Sequence, residues 1–266
     1  MESEPILALY NTPTLIGLNN IGATCFMNSI LLCLSQTEAL TNYFLKESNL
    51  ETIIHNNIYS ENNNEPQLSP GYLGLIKRLW AKYTNESYSP YSLRNTIEIM
   101  NQLFKECQAG DLKDFIIFIL EQLHKELKRP VKANNNNNSN TEQPLNQYDK
   151  NNALAHFFED FKKETSIITD IFFGITETTN ICQNCQKNNN MQGLIPPICY
   201  NYQIFNCLIF PLEEVKNIRN NKLMKNNNYL QMNSNNIVTI YDCFFYNQKT
   251  ELFTGENQII IIYVRN

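Results

Sequence analysis

Gly17-Leu18-Asn19-Asn20-Ile21-Gly22-Ala23-Thr24-Cys25-Phe26-Met27-Asn28-Ser29 is the stretch from which the rest of the chain is read. A glycine-containing turn runs into Cys25. Beyond it, Met27, Ile30, Leu31 and Leu34 follow i, i+3, i+4, i+7 spacing, which predicts a helix starting near Cys25. Thr24 stands where an N-cap would. A thiol at such a position faces the unpaired amides and positive dipole end of a helix, which favour a thiolate. The plain alternative is a small buried core residue, a common place for a free cysteine.

Outward from this segment the same periodicity recurs. Leu112, Phe115, Ile116, Ile119, Leu120, Leu123 and Leu127 predict a long helix starting near Gly110-Asp111 and stopping before Pro130. Leu154, Phe157, Phe158 and Phe161 make a shorter stripe, and Leu73 to Trp80 and Leu93 to Phe104 read as helices too. After Asp170 the texture changes. Tyr202 to Phe210 and Ile237 to Phe245 are rich in aromatic and β-branched residues and read as strands. Helices first and strands later predict an α+β architecture. Asparagine runs at 134–138, 62–64, 188–190 and 226–228 punctuate the chain as loops and carry no chemistry.

Bulk properties exclude several classes. A net charge of −5 over 266 residues argues against nucleic acid as a partner, since phosphate binding needs a Lys/Arg surplus. No apolar run approaches the ~20 residues of a membrane span. The acidic start Met1-Glu2-Ser3-Glu4 lacks the pattern of a signal peptide, so the expected setting is intracellular, cytoplasm or nucleus. There the eight cysteines read as thiols, a metal site or a nucleophile rather than disulfides.

The opening stretch resembles the nucleophile box of the ubiquitin-specific proteases, which has the form Gly-Leu-x-Asn-x-Gly-x-Thr-Cys-Phe/Tyr-Met-Asn-Ser, and every fixed place is filled. A looser resemblance follows at Gln108-Ala109-Gly110-Asp111-Leu112-Lys113-Asp114-Phe115 and Leu120-Glu121-Gln122-Leu123-His124, with Asp114 for the family's usual glutamate. A third lies at Ser166 to Gly174, where the family has a strand ending in Phe-x-Gly, followed by Cys182-Gln183-Asn184-Cys185. Phe205 to Glu214, Val238 to Phe244 and Thr254 to Gln258 extend the likeness, which stops where a second cysteine pair would be expected.

The resemblance implies a papain-like fold, a helical thumb followed by β-rich fingers and palm. It covers about 15–130 as thumb, 131–150 as an Asn-rich loop and 165–258 as fingers and the start of the palm, within a partial domain 15–266. It implies a thiol-dependent deubiquitinase acting at the C-terminus of ubiquitin, with ubiquitin or ubiquitinated proteins as partner. Cys25 would be the nucleophile and Asn20 the donor to the oxyanion. Cys182 and Cys185 would form half of a zinc ribbon; Cys199, Cys207 and Cys243 lie isolated in the expected strands and read as core residues. A tetrahedral zinc site takes four ligands, and no second Cys-x-x-Cys occurs. The thiol chemistry itself needs no cofactor.

The family draws its general base from a later Gly-His-Tyr segment, which this sequence does not contain. Its histidines are His55, in a polar loop, and His124 and His156, on expected helices where the family has no catalytic group. No general base is therefore assigned in this chain, and the expectation is a C-terminally incomplete domain with little turnover of its own. The alternative is a truncated or pseudoenzyme form that binds ubiquitin without cleaving it.

Overall fold

A computed structural model describes residues 16–46, 49, 65–82, 86–105, 111–129, 144–182, 198–225, 237–248, 250–253 and 259–265. The described residues form helices and one antiparallel sheet, the α+β class expected. They fall into two compact units, one of residues 1–132 and 164–172, the other of 133–163 and 173–266. Each is taken by itself.

The first unit is helical: α1 (Cys25–Ser35), α2 (Glu38–Leu45), α3 (Leu68–Leu79), α4 (Tyr91–Met100), a 3₁₀ turn (Gln102–Phe104), α5 (Leu112–Glu126) and α7 (Ile167–Phe172). The apolar stripes read from sequence face its core. Leu31, Leu40, Phe44, Tyr72, Ile97, Phe115 and Leu123 are completely buried. Phe26 of α1 meets Phe115 of α5 edge-on at 5.4 Å and Phe104 at 6.2 Å, seating the first helix on the fifth. At the other end of α1, the Trp80 indole and the Thr41 hydroxyl both donate to the Ser35 carbonyl, at 3.2 and 2.7 Å.

The helix termini show why these elements stop and start here. Asp111 caps α5 by accepting from the amides of Lys113 and Asp114. The first amides of α3, Leu68 and Ser69, donate at 2.8 and 2.7 Å to the carboxylate of Glu126, some 58 residues further on. The short helix α7 follows Ser166, whose hydroxyl accepts from the Ile168 and Thr169 amides.

The second unit holds α6 (Lys150–Lys162), β1 (Gly174–Cys182), β2 (Ile198–Phe205), α8 (Leu212–Lys225), α9 (Ile240–Asn247), β3 (Thr250–Phe253) and β4 (Ile259–Arg265). The sheet order is β2-β1-β4-β3, every pair antiparallel. Gly174 opens β1 opposite Phe205, whose ring would lie 2.4 Å from a Cβ at that position, so only glycine fits without displacing the ring. Lys150 of α6 reaches the buried carboxylate of Glu177 on β1 at 2.9 Å, and the Tyr202 hydroxyl donates to the same group.

Three local expectations are corrected. The segment 237–245 is not a strand: Ile240–Asn247 is helix α9, opened by a reciprocal capping box in which Thr239 and Asp242 satisfy each other's backbone amides. Its Cys243 and Tyr246, three apart, pack with Val215 of α8, a helical period that outweighs the β-branched composition before it. The expected strand 202–210 is β2, and it ends at Phe205. Before Gly174 the chain is helix α7, with the strand beginning at the glycine rather than ending there. The isoleucine run after Gln258 is β4, paired along β1 and β3. No helix among the described residues is long and apolar enough to cross a membrane.

Candidate active site

Cys25 is the first residue of α1, as the periodicity predicted, and its side chain is exposed. The first helical hydrogen bond runs from the Asn28 amide to the Thr24 carbonyl at 2.8 Å. The amides before it lie in the first turn, at the positive end of the helix.

Thr24 occupies the cap position without capping the helix. Its buried side chain turns back toward the loop instead. The Ile21 amide donates to the Thr24 Oγ1 at 3.1 Å, so the hydroxyl hydrogen is left to donate to Asn20 Oδ1, also at 3.1 Å. The Thr24 amide donates to the same Oδ1 at 3.0 Å. A backbone N–H can only donate, so the Asn20 atom facing it must be the oxygen. The amide orientation of Asn20 follows: its Oδ1 is committed to Thr24, and its NH₂ points away as a donor.

The loop between Asn20 and Cys25 is strained. Gly22 has φ 106° and Ala23, with a side chain, has φ 42°. A non-glycine residue in the left-handed region costs on the order of 1–3 kcal/mol and persists only where surrounding contacts hold it. Those contacts are present. Leu18 pairs with Tyr88 in a parallel bridge, with Asn19 N donating to Tyr88 O at 2.8 Å and Tyr88 N to Gly17 O at 2.9 Å. The Asn19 side chain donates to the Ser89 hydroxyl at 2.9 Å. Buried Asn28, one turn into α1, donates to the Asn19 carbonyl at 3.0 Å. Arg94 of α4 donates to the Ile21 carbonyl at 2.5 Å and is itself held by Glu98 at 2.7 Å.

The structure thus brings Asn20, Thr24 and Cys25 together on one loop and adds Arg94 and Asn28, which the sequence reading did not single out. Asn28 carried a signal, since it lies one helical turn from Cys25 within the quoted stretch. Arg94 lies 73 residues from its partner Ile21 and carried none.

The described histidines are His124 and His156. His124 lies on α5 with Nδ1 2.9 Å from the Ser166 hydroxyl. Because that oxygen already accepts two backbone amides, its hydrogen goes to Nδ1, which fixes the neutral ring with Nδ1 as acceptor. Burial, reinforced by Lys128 and partly opposed by Glu164, pushes the His124 pKa down. His156 lies on α6 in the second unit, lining a groove of about 450 Å³ with Asp149, Glu159, Asp160 and Lys163. His55 lies outside the described residues.

Cys182 is the last residue of β1, opposite Ile259, and is half-buried; Cys185 lies outside the described residues. Cys243 is buried and Cys199 and Cys207 are half-buried. Among the described residues no three or more of His, Cys, Asp and Glu gather as a metal would require.

A family model described as ubiquitin carboxyl-terminal hydrolase matches residues 16–254. Over 190 residues the chain is 32% identical to ubiquitin carboxyl-terminal hydrolase 15 of Bos taurus, covering 71% of this chain and 19% of that protein. The fold is similar to a chain of the yeast SAGA DUB module with an Sgf73 mutant, at TM-score 0.55 and 17% identity, over 94% of this chain and 44% of that one. It is also similar to a chain of the SAGA Ubp8/Sgf11/Sus1/Sgf73 DUB module bound to ubiquitin aldehyde, at TM-score 0.53 and 18% identity, with the same coverage of 94% and 44%. The chain spans about a fifth of the length of the curated relatives it matches.

Proposed function

Because the chain belongs to the ubiquitin carboxyl-terminal hydrolase family, we propose that it carries the nucleophile and oxyanion elements of a thiol-dependent deubiquitinase. The observation that carries this reading is the Asn20 amide, locked by Thr24 with its NH₂ turned outward, on the loop that ends at Cys25. In the proposed reaction the Cys25 thiolate attacks the carbonyl carbon at the ubiquitin C-terminus, forming a C–S bond as charge collects on oxygen. Asn20 Nδ2 donates to that oxygen. A preorganised donor of this kind is typically worth about 100- to 1,000-fold in rate. The C–N bond breaks and the amine leaves with the proton that the thiol gave up; water then hydrolyses the thioester, freeing the ubiquitin carboxylate and regenerating the Cys25 thiol. Ubiquitin as partner is supported by a solved relative of like fold that binds ubiquitin aldehyde. The setting we propose is intracellular, and neither nucleic acid nor membrane is part of the reading.

The placement of the histidines favours a second reading, binding of ubiquitin without cleavage. Within the unit that carries Cys25, the described histidine His124 spends its Nδ1 on Ser166. A Cys25 thiol with no base to take its proton would bind ubiquitin without attacking it, which is what this reading expects.

One experiment tests the assignment and a second divides the readings. A ubiquitin-derived electrophilic probe, incubated with the 266-residue chain, is expected to label Cys25 and not Cys33, although both are exposed on α1. Labelling at Cys33, or undiminished labelling of Cys25→Ala, would remove Cys25 from its role. Turnover of a fluorogenic ubiquitin amide supports cleavage, and saturable binding with no turnover supports the second reading.

A further inference from the structure

Arg94 is the one cation on α4, far in sequence from the nucleophile, yet its guanidinium is aimed at the backbone of the loop before Cys25. Its side chain is only 13% exposed, and Glu98, which accepts from it one helical turn later, is 21% exposed. A largely desolvated guanidinium is costly unless its donors are well used. Here Nε donates to the Glu98 carboxylate and a terminal N–H donates to the Ile21 carbonyl.

Ile21 is gripped at both of its backbone polar groups. Its amide donates to Thr24 Oγ1, and its carbonyl accepts from Arg94. The first contact leads straight to Asn20, since Thr24 Oγ1 passes its own hydrogen to Asn20 Oδ1. The second lies immediately before the two positive-φ residues Gly22 and Ala23, the part of the loop least able to keep its shape unaided.

We propose that Arg94 is a positioning residue for the oxyanion donor: by holding the Ile21 carbonyl it keeps the strained turn closed, keeps Thr24 on Asn20 Oδ1, and so keeps the Asn20 NH₂ aimed. Arg94 touches neither Cys25 nor substrate in this scheme and acts through Ile21 and Thr24. Glu98 orients the guanidinium. This deepens the deubiquitinase reading and rests on it for its consequence in catalysis, but the mechanical part stands on the loop geometry alone.

The two parts are tested separately. Amide hydrogen exchange on the full chain reads the loop without any ligand. Arg94→Ala is expected to speed exchange at the Ile21 and Thr24 amides by roughly tenfold or more while leaving the α5 amides unchanged; unchanged protection at both overturns the proposal. Should Arg94→Ala unfold the chain, Arg94→Lys, which keeps one donor, decides: protection near wild type supports the proposal, and loss equal to global unfolding overturns it. The second readout is the affinity ratio of ubiquitin aldehyde to unmodified ubiquitin, because only the aldehyde forms a hemithioacetal oxygen for Asn20 to meet. If wild type shows no preference, or Cys25→Ala retains one, the deubiquitinase reading fails whatever Arg94 does to exchange. If wild type prefers the aldehyde and Cys25→Ala does not, Arg94→Ala is expected to erode that preference roughly ten- to one-hundred-fold with little change for unmodified ubiquitin, in line with the cost of a misplaced catalytic group. A full preference in Arg94→Ala, or an equal loss for both ligands, overturns the positioning role.

Discussion

The described side chains of the two units are buried very differently. In the helical unit, Leu31, Phe44, Tyr72 and Phe115 are fully enclosed, one from each of four helices. In the second unit, among the residues before 249 whose side chains are described, the buried apolar ones are Ala153, Val215, Cys243 and Tyr246, while Ile209, Leu212, Ile237, Ile240 and Tyr241 are exposed. The Asn20–Cys25 loop is built on the first kind of ground. A loop that holds Ala23 at positive φ needs a rigid neighbour to hold it, and α1, α4 and α5 supply one.

The largest expected effect tests that contrast directly. Phe44 has no exposed surface and meets the Tyr72 ring edge-on at 4.9 Å. Phe44→Ala should cost about 3–5 kcal/mol, the usual range for truncating a fully buried aromatic. Tyr241→Ala, at a site 80% exposed on α9, should stay within about 0.5 kcal/mol. Urea midpoints of the two variants, read by helix-sensitive circular dichroism, check both. Similar losses at the two sites would break the comparison.

The same contrast explains what the sequence made legible. Where a core exists, apolar spacing reports it: Met27, Ile30, Leu31 and Leu34 predicted α1, and Leu112 to Leu127 predicted α5, because burial of one stripe dominates everything local. Among the described side chains of the second unit, burial is partial and the pattern correspondingly weak. Ile237-Val238-Thr239-Ile240 reads as a strand by composition, yet the Thr239–Asp242 capping box and the Cys243/Tyr246 spacing make it the start of α9. Both signals were present in the sequence and were outvoted by β-branched residues. At the candidate site, Cys25 and Asn20 were singled out through the resemblance to the family motif. Thr24 was recognised as a helix-boundary residue, but composition and spacing cannot show that its hydroxyl turns to Asn20 instead of the helix. Contacts between segments distant in sequence leave no periodic trace, which is why Arg94 and Glu126 were invisible.

Glu126 offers the next effect in size. It caps α3 from α5 through two amide hydrogen bonds and also accepts from Gln122 at 2.7 Å. Glu126→Gln keeps the length but turns an NH₂ group toward an amide donor, so one bond is lost and a donor is left facing a donor. The expected loss is about 1–3 kcal/mol. Its signature is local: exchange should quicken at the Leu68 and Ser69 amides before the unit as a whole unfolds. Exchange at those amides unchanged from wild type would show that α3 holds its start without help from α5, and the helical unit would be less interlocked than its burial implies.

The smallest effect concerns His124, the polar contact that joins α5 to α7 within the helical unit. Its ring is neutral with Nδ1 accepting from Ser166, so protonation would put a hydrogen where the Ser166 hydroxyl already donates. Burial and Lys128 oppose the charged form as well, and together they hold the folded-state pKa below the ordinary 6.5. The unfolded chain therefore takes up the proton first as pH falls. The neutral ring's contribution is fully present above about 6.5 and is lost as pH drops through the depressed folded value. The charged neighbours that set this balance are Lys128 and Glu164, which pair with each other. His124→Asn places an amide oxygen close to the Nδ1 position, keeping an acceptor for Ser166 that does not titrate in this range. Wild type should lose urea resistance between pH 7.5 and pH 5.5, a window that lies above the carboxylates, and His124→Asn should lose less. His55 and His156 are present in both proteins, so the difference between the two slopes isolates position 124. Parallel slopes would mean that the Ser166 contact tolerates the proton, and the α5–α7 junction would then rest on apolar packing and on the Arg129–Asp170 and Lys128–Glu164 pairs.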